Sequence, residues 1–425
     1  MPLNIPDIQL PRVVIVGAGF GGFQLARSLP SSSFQTVLID RYNFHQFQPL
    51  YYQVAMAGLE PSSICFPLRR SFQKKKNTFV RVAEVEGFDP GEKKLFTDQG
   101  AIRYDILVLA TGARTNYFNR QDIEQAVIPM KSISESLYLR NRILEDLEKA
   151  VVAPRDSDLS PYLDIAIVGG GPTGVELAGA LAEMKKHIVP KDYPDLDNDR
   201  MHIHLIEGRD RLLAAMRPES SDRTLTDLRS MGVEVHLNSR VHSIETNQIL
   251  LTDGRIIRAG KVIWAAGITG ALVKGVPETS LSPGGRIRVD DYCRVQGLQQ
   301  VFAIGDLACM ETSEYPKGHP QMAPAAMQQA RWLASYLRSS TDRPFRFTDK
   351  GQMATIGRNK AVTEFAGLRL AGFPAWAIWL LVHIYYLIGV RNRLIVLINW
   401  IWSYLFYDQN LRLIIRPRLP PSGKG

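Results

Sequence analysis

Two apolar, β-branched runs, Arg12-Val13-Val14-Ile15-Val16 and Asp164-Ile165-Ala166-Ile167-Val168, each stop at a cluster of glycines. Apolar residues at helical spacing follow both clusters, so the pattern predicts strand, tight turn and helix in each place. Gly17-Ala18-Gly19-Phe20-Gly21-Gly22 fills the first turn and Gly169-Gly170-Gly171-Pro172-Thr173-Gly174 the second. A second strand ending in an acid comes after each helix, Thr36–Asp40 and Ile203–Glu207. The later acid lies further from its glycines because the polar stretch Lys191–Asp195 intervenes. Each half closes on an apolar strand and a small-residue turn, Ile106–Leu109 before Ala110-Thr111-Gly112 and Val262–Trp264 before Ala265-Ala266-Gly267. From Gly17 to Gly169 is 152 residues and from Gly112 to Gly267 is 155, so one unit is used twice. Strands alternating with helices predict an α/β fold with parallel sheets.

The two turns carry chemistry as well as punctuation. In a G-x-G-x-x-G turn the first glycine makes the bend, the second lets backbone approach a pyrophosphate, and the third lets the helix pack on the strand. The pyrophosphate then meets free N–H groups at the helix N-terminus. One such motif is a weak signal, but two in strand–turn–helix context imply two nucleotides and electron transfer between them. Asp40 and Glu207 stand where an acid accepts hydrogen bonds from a ribose and repels a 2′-phosphate. Glu207 therefore favours NADH over NADPH, although Arg209 and Arg211 are near enough in sequence to meet a 2′-phosphate. A third signal is Val301-Phe302-Ala303-Ile304-Gly305-Asp306, a buried-type strand ending in Gly-Asp. Such a pair meets the ribityl or phosphate part of FAD in two-dinucleotide flavoproteins; the alternative is a plain strand-end turn. The expected organisation is two Rossmann-like domains, the NADH domain inserted into the FAD domain. An FAD-binding part spans residues 1–124, the NADH-binding domain 125–284, the second FAD-binding part 285–350, and a C-terminal membrane-associated segment 351–425.

Composition narrows the function. Hydrophobic content of 45% and charged content of 22% fit a folded globular enzyme and exclude a disordered chain. Cys65, Cys293 and Cys309 are far apart and no Cys-x-x-Cys occurs, which removes the dithiol–disulfide signature and any zinc or cluster spacing. No metal is expected, and an electron leaving a flavin needs another acceptor. Residues 367–425 hold seven Lys or Arg against one acid, a net +6 of the chain's +9, and four of the six tryptophans. Nucleic acid is excluded as the partner because the intervening sequence is strongly apolar. The runs Ala375–Val390 and Leu394–Tyr407, parted by Arg391-Asn392-Arg393, are each shorter than the roughly 20 residues a spanning helix needs. They predict an amphipathic pair of helices in one leaflet, anchored through residues 375–407, with Trp and Tyr at the headgroup level and both arginines at the turn reaching anionic lipid. A hairpin buried in a homodimer interface is the alternative, and a short tilted span by the first run is a third arrangement. The first strand begins near Arg12, so no signal or transit peptide is expected and the nucleotide domains should face the cytoplasm.

Taken together these residues resemble the type II NADH:quinone oxidoreductases, single-subunit dehydrogenases that pump no protons. The resemblance rests on Phe47-Gln48-Pro49-Leu50-Tyr51-Tyr52-Gln53-Val54-Ala55, Ala110-Thr111-Gly112-Ala113 and Asn116-Tyr117-Phe118, and on Val168 to Gly179. It continues in Ala303–Asp306, Met353-Ala354-Thr355-Ile356-Gly357, Arg391-Asn392-Arg393 and Asn399-Trp400. It implies electron transfer from NADH through non-covalent FAD to a quinone. Gly17, Gly19, Phe20, Gly22 and Asp40 would hold the FAD nucleotide, with Gln48, Thr111, Gly112, Gly305 and Asp306 toward the flavin and ribityl chain. Gly169, Gly171, Gly174, Glu207, Ala266 and Gly267 would hold NADH. Glu176 would be the acid beside the nicotinamide; the alternative is an early-helix acid favoured by the dipole. At the quinone site members commonly carry Ala-Gln-x-x-x-Gln, and here Pro324 replaces the first glutamine while Gln328 matches the second. Pro324, Met327 and Gln328 are the quinone candidates, and Gln321 or Gln329 are possible substitutes or surface residues. Two other classes remain: a sulfide:quinone reductase, which needs cysteines beside the flavin, and a non-respiratory NADH-binding flavoprotein acting through a partner.

Overall fold

The computed structural model describes residues 3–154, 156–339, 343–406 and 411–415. The chain divides into two compact units, Met1–Gln46 with Cys65–Arg114 and Ile268–Lys350, and Phe47–Ile64 with Thr115–Gly267 and Gly351–Gly425.

The first unit is built on a five-stranded parallel sheet in the order Val301–Ala303, Ile106–Leu109, Arg12–Val16, Gln35–Asp40, Thr78–Val82. Val13, Val14 and Ile15 in the central strand are fully buried, the condition that makes a strand read as a continuous apolar run. The helix Phe20–Ser28 packs on the helix Ala323–Ser339. Small residues allow that approach: a Cβ on Gly21 would lie 3.3 Å from the Ile304 Cδ1 and 3.7 Å from the Ala326 Cβ. An antiparallel meander, Val85–Asp89, Lys94–Thr97 and Gly100–Arg103, completes the plan.

The second unit repeats it. Its parallel sheet runs Ile128–Pro129, Lys261–Trp264, Ile165–Val168, Ile203–Ile206, Val233–His236. A meander of Val241–Glu245, Gln248–Leu251 and Ile256–Arg258 shares a buried cluster with it, including Val168, Ile206, Ile249, Leu251 and Trp264. The long helix Ile133–Val152 opens on a capping box between Ser132 and Glu135. Further on it is tied to the sheet by a buried pair, with Lys261 Nζ 3.0 Å from Asp146 Oδ2.

Two additions fill out this unit. Phe47–Ile64 leaves the first sheet, and its helix Tyr51–Ala55 packs on Ile133–Val152 and Pro172–His187, burying Leu50, Val54 and Leu59. The C-terminal part begins with an antiparallel sheet of Gln352–Gly357, Lys360–Phe365 and Leu368–Ala371, then forms the helices Phe373–Tyr386 and Val390–Phe406. Gly389, at φ +87°, breaks the chain between the helices. Among the described residues no helix is long and apolar enough to cross a membrane.

Two details of the C-terminal expectation change. Arg393, though exposed, is also tied inward: its Nε and Nη2 donate to the carbonyls of Leu387 and Tyr385, each at 2.8 Å, capping the open end of the preceding helix. Trp379 is fully buried rather than at a headgroup level, stacked 3.9 Å from His383, and Trp400 donates its N–H to Gln53 Oε1 at 2.7 Å. The outward face mixes aliphatic and aromatic residues, with Leu381, Leu394, Ile398, Ile401 and Leu405 exposed beside Phe373, Tyr385, Trp402 and Phe406. Tyr407, the last residue of the second apolar run, lies outside the described residues.

The helix Pro172–His187 meets the strand Gln352–Gly357 at Gly179, where a Cβ would fall 1.6 Å from the Ile356 carbonyl oxygen. Gly179→Ala is therefore expected to destabilise this unit by about 1–3 kcal/mol through overpacking. The check is a lower unfolding midpoint in urea; an unchanged midpoint would mean that helix and strand separate without loss.

Candidate functional site

In the first unit the glycine turn sits at the carboxyl ends of the parallel strands, where open α/β sheets bind ligands. Gly17 has φ +99°, and a Cβ there would lie 2.4 Å from the Ala110 carbonyl oxygen. A Cβ on Gly22 would lie 1.9 Å from the Gly17 oxygen, so the helix is pressed against the turn. Above Gly19, the helix N-cap, a Cβ would meet nothing within 4 Å. The turn is thus filled below and open above, which is the shape a pyrophosphate requires. Asp40 closes the turn, accepting from the Ala18 N–H at 2.6 Å and the Tyr42 N–H at 2.8 Å. Burial pushes its carboxyl above the usual range, and those two donors pull it back.

The second unit repeats this arrangement closely. Gly169 has φ +115° with a Cβ position 2.6 Å from the Ala265 oxygen, and a Cβ on Gly174 would lie 1.9 Å from the Gly169 oxygen. Above Gly171 nothing lies within 4 Å. Glu207 accepts from the Gly170 N–H at 2.6 Å and the Arg209 N–H at 2.8 Å. One difference follows from the longer acid. A Cβ at position 170 would come within 2.9 Å of Glu207 Oε2 and 2.6 Å of Leu212 Cδ2, so glycine stands where the first copy has Ala18.

Around the first cradle, Thr111 donates its hydroxyl to the Ala271 oxygen at 2.6 Å, and the Gly112 carbonyl accepts from the Ala271 N–H at 3.0 Å. Phe20 places its ring edge-on to His45, 5.3 Å between centroids. His45 was not singled out in the sequence; it is buried, holds the Ala18 carbonyl at 2.9 Å, and is pushed down to about 4 by burial. Gly305 donates its N–H to Gln329 Oε1 at 2.7 Å, and the Asp306 carbonyl accepts from the Gln321 amide at 2.9 Å. Gln321 and Gln329 are therefore braces of the Gly-Asp turn rather than surface residues. Pro324 and Met327 lie half-buried in the first turns of Ala323–Ser339. Gln328 makes a pair of hydrogen bonds with the Thr348 backbone, donating to its carbonyl and accepting from its N–H, both at 3.0 Å. Gln48 belongs to the other unit and is exposed on the short helix Gln48–Leu50.

Around the second cradle, the Ala266–Gly267 turn is held to Asn116, whose N–H donates to the Gly267 oxygen at 3.2 Å while its carbonyl accepts from the Trp264 indole at 2.9 Å. Glu176, two residues beyond Gly174, lines an aromatic cavity. Tyr52, Met56, Thr355, Trp379, Trp400 and Tyr404 line it with Glu176. Glu176 opens onto this cavity yet is shielded from bulk water, and desolvation raises its pKa to about 8, against a hydrogen bond from the Thr355 backbone. Deeper along the same helix, Glu183 is also raised by burial and accepts the Arg358 N–H. The Arg358 guanidinium lies 3.9 Å over the Tyr404 ring.

The pyridine nucleotide-disulphide oxidoreductase family matches residues 11–330. Over 95% of its length the chain is 32% identical to the type II NADH:quinone oxidoreductase Ndh of Mycobacterium tuberculosis, covering 91% of that protein. The chain belongs to the type II NADH:quinone oxidoreductase family. Residues 350–407 also match the NDH2 C-terminal domain, so the family resemblance extends past both nucleotide cradles into the C-terminal helices. The chain is similar in fold to NDH2 from Plasmodium falciparum, solved in complex with NADH, at a TM-score of 0.87 and 22% identity over 96% of this chain and 100% of that one. A weaker likeness in fold is to the sulfide:quinone oxidoreductase of Aquifex aeolicus, at a TM-score of 0.69 and 18% identity over 98% of each chain.

The raised pKa of Glu176 makes stability depend on pH with a definite sign. Its folded value of about 8 stands above the ordinary 4.5, so the folded protein holds a proton that the unfolded chain has released. That contribution is full below pH 4.5 and is lost as pH rises toward 8. Between those limits the native protein should lose stability relative to Glu176→Gln, whose neutral amide has no proton to release. Urea midpoints of the two proteins at pH 5.5 and pH 8 provide the comparison, and parallel curves would place the Glu176 carboxylate in water.

Proposed function

We propose that this chain is a peripheral membrane flavoenzyme that passes electrons from NADH through FAD to a quinone without pumping protons. The observation carrying this reading is the paired cradle, one in each unit, each open at its second glycine and closed by an acid. FAD fits the first, where Asp40 would take the ribose, the Gly19 opening the pyrophosphate, and the Gly305-Asp306 turn the ribityl chain. NADH fits the second through Gly169, Gly171, Gly174 and Glu207, with the Ala266–Gly267 turn beside it. When bound, FAD supplies the change from hydride acceptance to single-electron release, which no side chain here can perform.

The residues themselves orient and exclude water. Thr111 and Gly112, held by Ala271, keep one wall of the first cradle rigid. The helix beginning at Ala323 directs its N-terminal dipole outward, and Pro324 removes an N–H that this turn would leave unpaired. The aromatic cavity of the second unit is the proposed entry for the quinone, since Tyr52, Trp376, Trp379, Trp400 and Tyr404 line it and Glu176 holds a proton there near neutral pH. For Gln328 to meet a quinone carbonyl its amide must exchange Thr348 for it. A sulfide:quinone reductase is the weaker reading. Burial pushes the Cys65 thiol up to about 12 and that of Cys293 up further, so neither supplies a thiolate.

Attachment to a membrane surface is proposed through the outward face of the C-terminal helices, with the cradles on the cytoplasmic side. A homodimer would need another face if lipid covers this one. Anaerobic mixing with NADH and then a short-chain quinone tests the function directly, by bleaching and recovery of flavin absorbance. Bleaching without recovery would leave an NADH-binding flavoprotein that serves another acceptor.

Glu207→Ala should weaken NADH binding by roughly 1.5–3 kcal/mol, the usual value of a charged hydrogen bond, and narrow the preference over NADPH. Glu207→Gln should recover part of the binding, because an amide oxygen can still accept from Gly170. Steady-state ratios for the two nucleotides report the result, and an unchanged ratio removes Glu207 from the ribose.

Cutting away the C-terminal helices would remove Trp379 and Trp400 from the wall of the aromatic cavity, so the membrane test uses surface changes. Combining Ile398→Ser, Ile401→Ser and Leu405→Ser, at sites 60%, 51% and 63% exposed, should release the protein from liposomes while NADH still reduces the flavin. Undiminished sedimentation with liposomes would move the membrane site elsewhere.

A further inference from the structure

In the second unit, away from the glycine cradle, three side chains converge on one point. His204 lies in the strand Ile203–Ile206, and Glu234 and His236 in the neighbouring edge strand Val233–His236. Parallel register pairs His204 with Glu234 and Ile206 with His236, and side chains two apart on a strand share a face. The three side chains therefore project from one side of the sheet. His204 Nδ1 lies 3.3 Å from Glu234 Oε2 and 3.3 Å from His236 Nε2, and all three atoms fall within 4.8 Å of one another.

These distances have a specific meaning. Ligands 2.0–2.1 Å from a tetrahedral zinc ion stand about 3.3–3.4 Å apart, which both measured separations match. A proton between His204 and either neighbour satisfies one pair and leaves the third atom facing lone pairs, whereas a cation satisfies all three. We propose that His204, Glu234 and His236 bind one borderline divalent cation of the Zn2+ class, with water in the fourth position.

The surroundings suit that role. His202 stacks 6.2 Å from His204, and its Nδ1 is held by Asp164 at 2.9 Å. The nearby cation Arg255 is engaged by Asp253 at 2.8 Å, which offsets its charge. Glu234 is exposed and His236 partly so, leaving an entry path. The bound ion would clip the edge strand to its neighbour through His204, three residues before Glu207, whose N–H donates to the His236 carbonyl at 2.9 Å. The site is independent of the quinone reading and needs no nucleotide.

The test uses untagged, FAD-loaded full-length protein, stripped with a chelator and titrated with Zn2+ and Co2+ by calorimetry and absorbance. One equivalent of Zn2+ per chain is expected, with Co2+ giving ligand-field bands beyond the flavin envelope and no thiolate charge-transfer band. Glu234→Gln combined with His236→Ala should abolish that equivalent while flavin content stays at one per chain. Hydrogen exchange at the amides of residues 204–207 and 234–237 should slow on adding Zn2+ to the native protein alone. Failure of the native protein to bind, retention of the equivalent in the double variant, or a thiolate band would each overturn the assignment.

Discussion

A carboxylate hydrogen-bonded into a glycine turn is the constraint on which both units depend. Asp40 grips the Ala18 N–H and Glu207 the Gly170 N–H, each at 2.6 Å from the end of the neighbouring strand. Each bond joins the first strand's exit to the second strand's end, so the turn cannot relax away from the sheet. A hydrogen bond to a charged group contributes about 1.5–3 kcal/mol, and here it also aims the helix N-terminus. Without that clamp the opening above Gly19 or Gly171 would have no fixed shape for a phosphate to recognise.

The duplication extends further than the turns. Each unit joins a five-stranded parallel sheet to a three-stranded antiparallel meander, and each packs its third glycine so tightly that a Cβ there would lie 1.9 Å from the first glycine's oxygen. The two copies then diverge where chemistry differs. The first gains the Gly305-Asp306 turn, braced by Gln329 and Gln321, while the second gains a helix Pro172–His187 whose far side meets the C-terminal sheet at Gly179. Glu176 lies on that helix, so one element carries the phosphate-facing N-terminus and the acid of the aromatic cavity. A change in how the helix is held would reach both.

The C-terminal helices serve two environments at once. Inward they supply Trp379, His383 and Trp400 to the cavity and its surroundings; outward they present Leu394, Ile398, Ile401 and Leu405. On the outward side the exposed residues are mostly apolar, while Arg393 caps the preceding helix.

What the sequence by itself determined was local and periodic: the two glycine turns, their β-branched strands, the acids Asp40 and Glu207, and the family to which they point. Those features are legible because a turn needing φ near +100° or a missing Cβ leaves its mark on the very residue that makes it. Tertiary structure alone decided which partners distant residues take. Gln328 pairs with Thr348, Gln329 with Gly305 and Trp400 with Gln53, and an amide or indole carries no signal of its partner along the chain. The same holds for Phe47–Ile64, whose apolar residues fit either sheet by pattern and find their cover against Ile133–Val152. His204, Glu234 and His236 were equally silent, since strands some thirty residues apart become neighbours only when the parallel register brings them side by side.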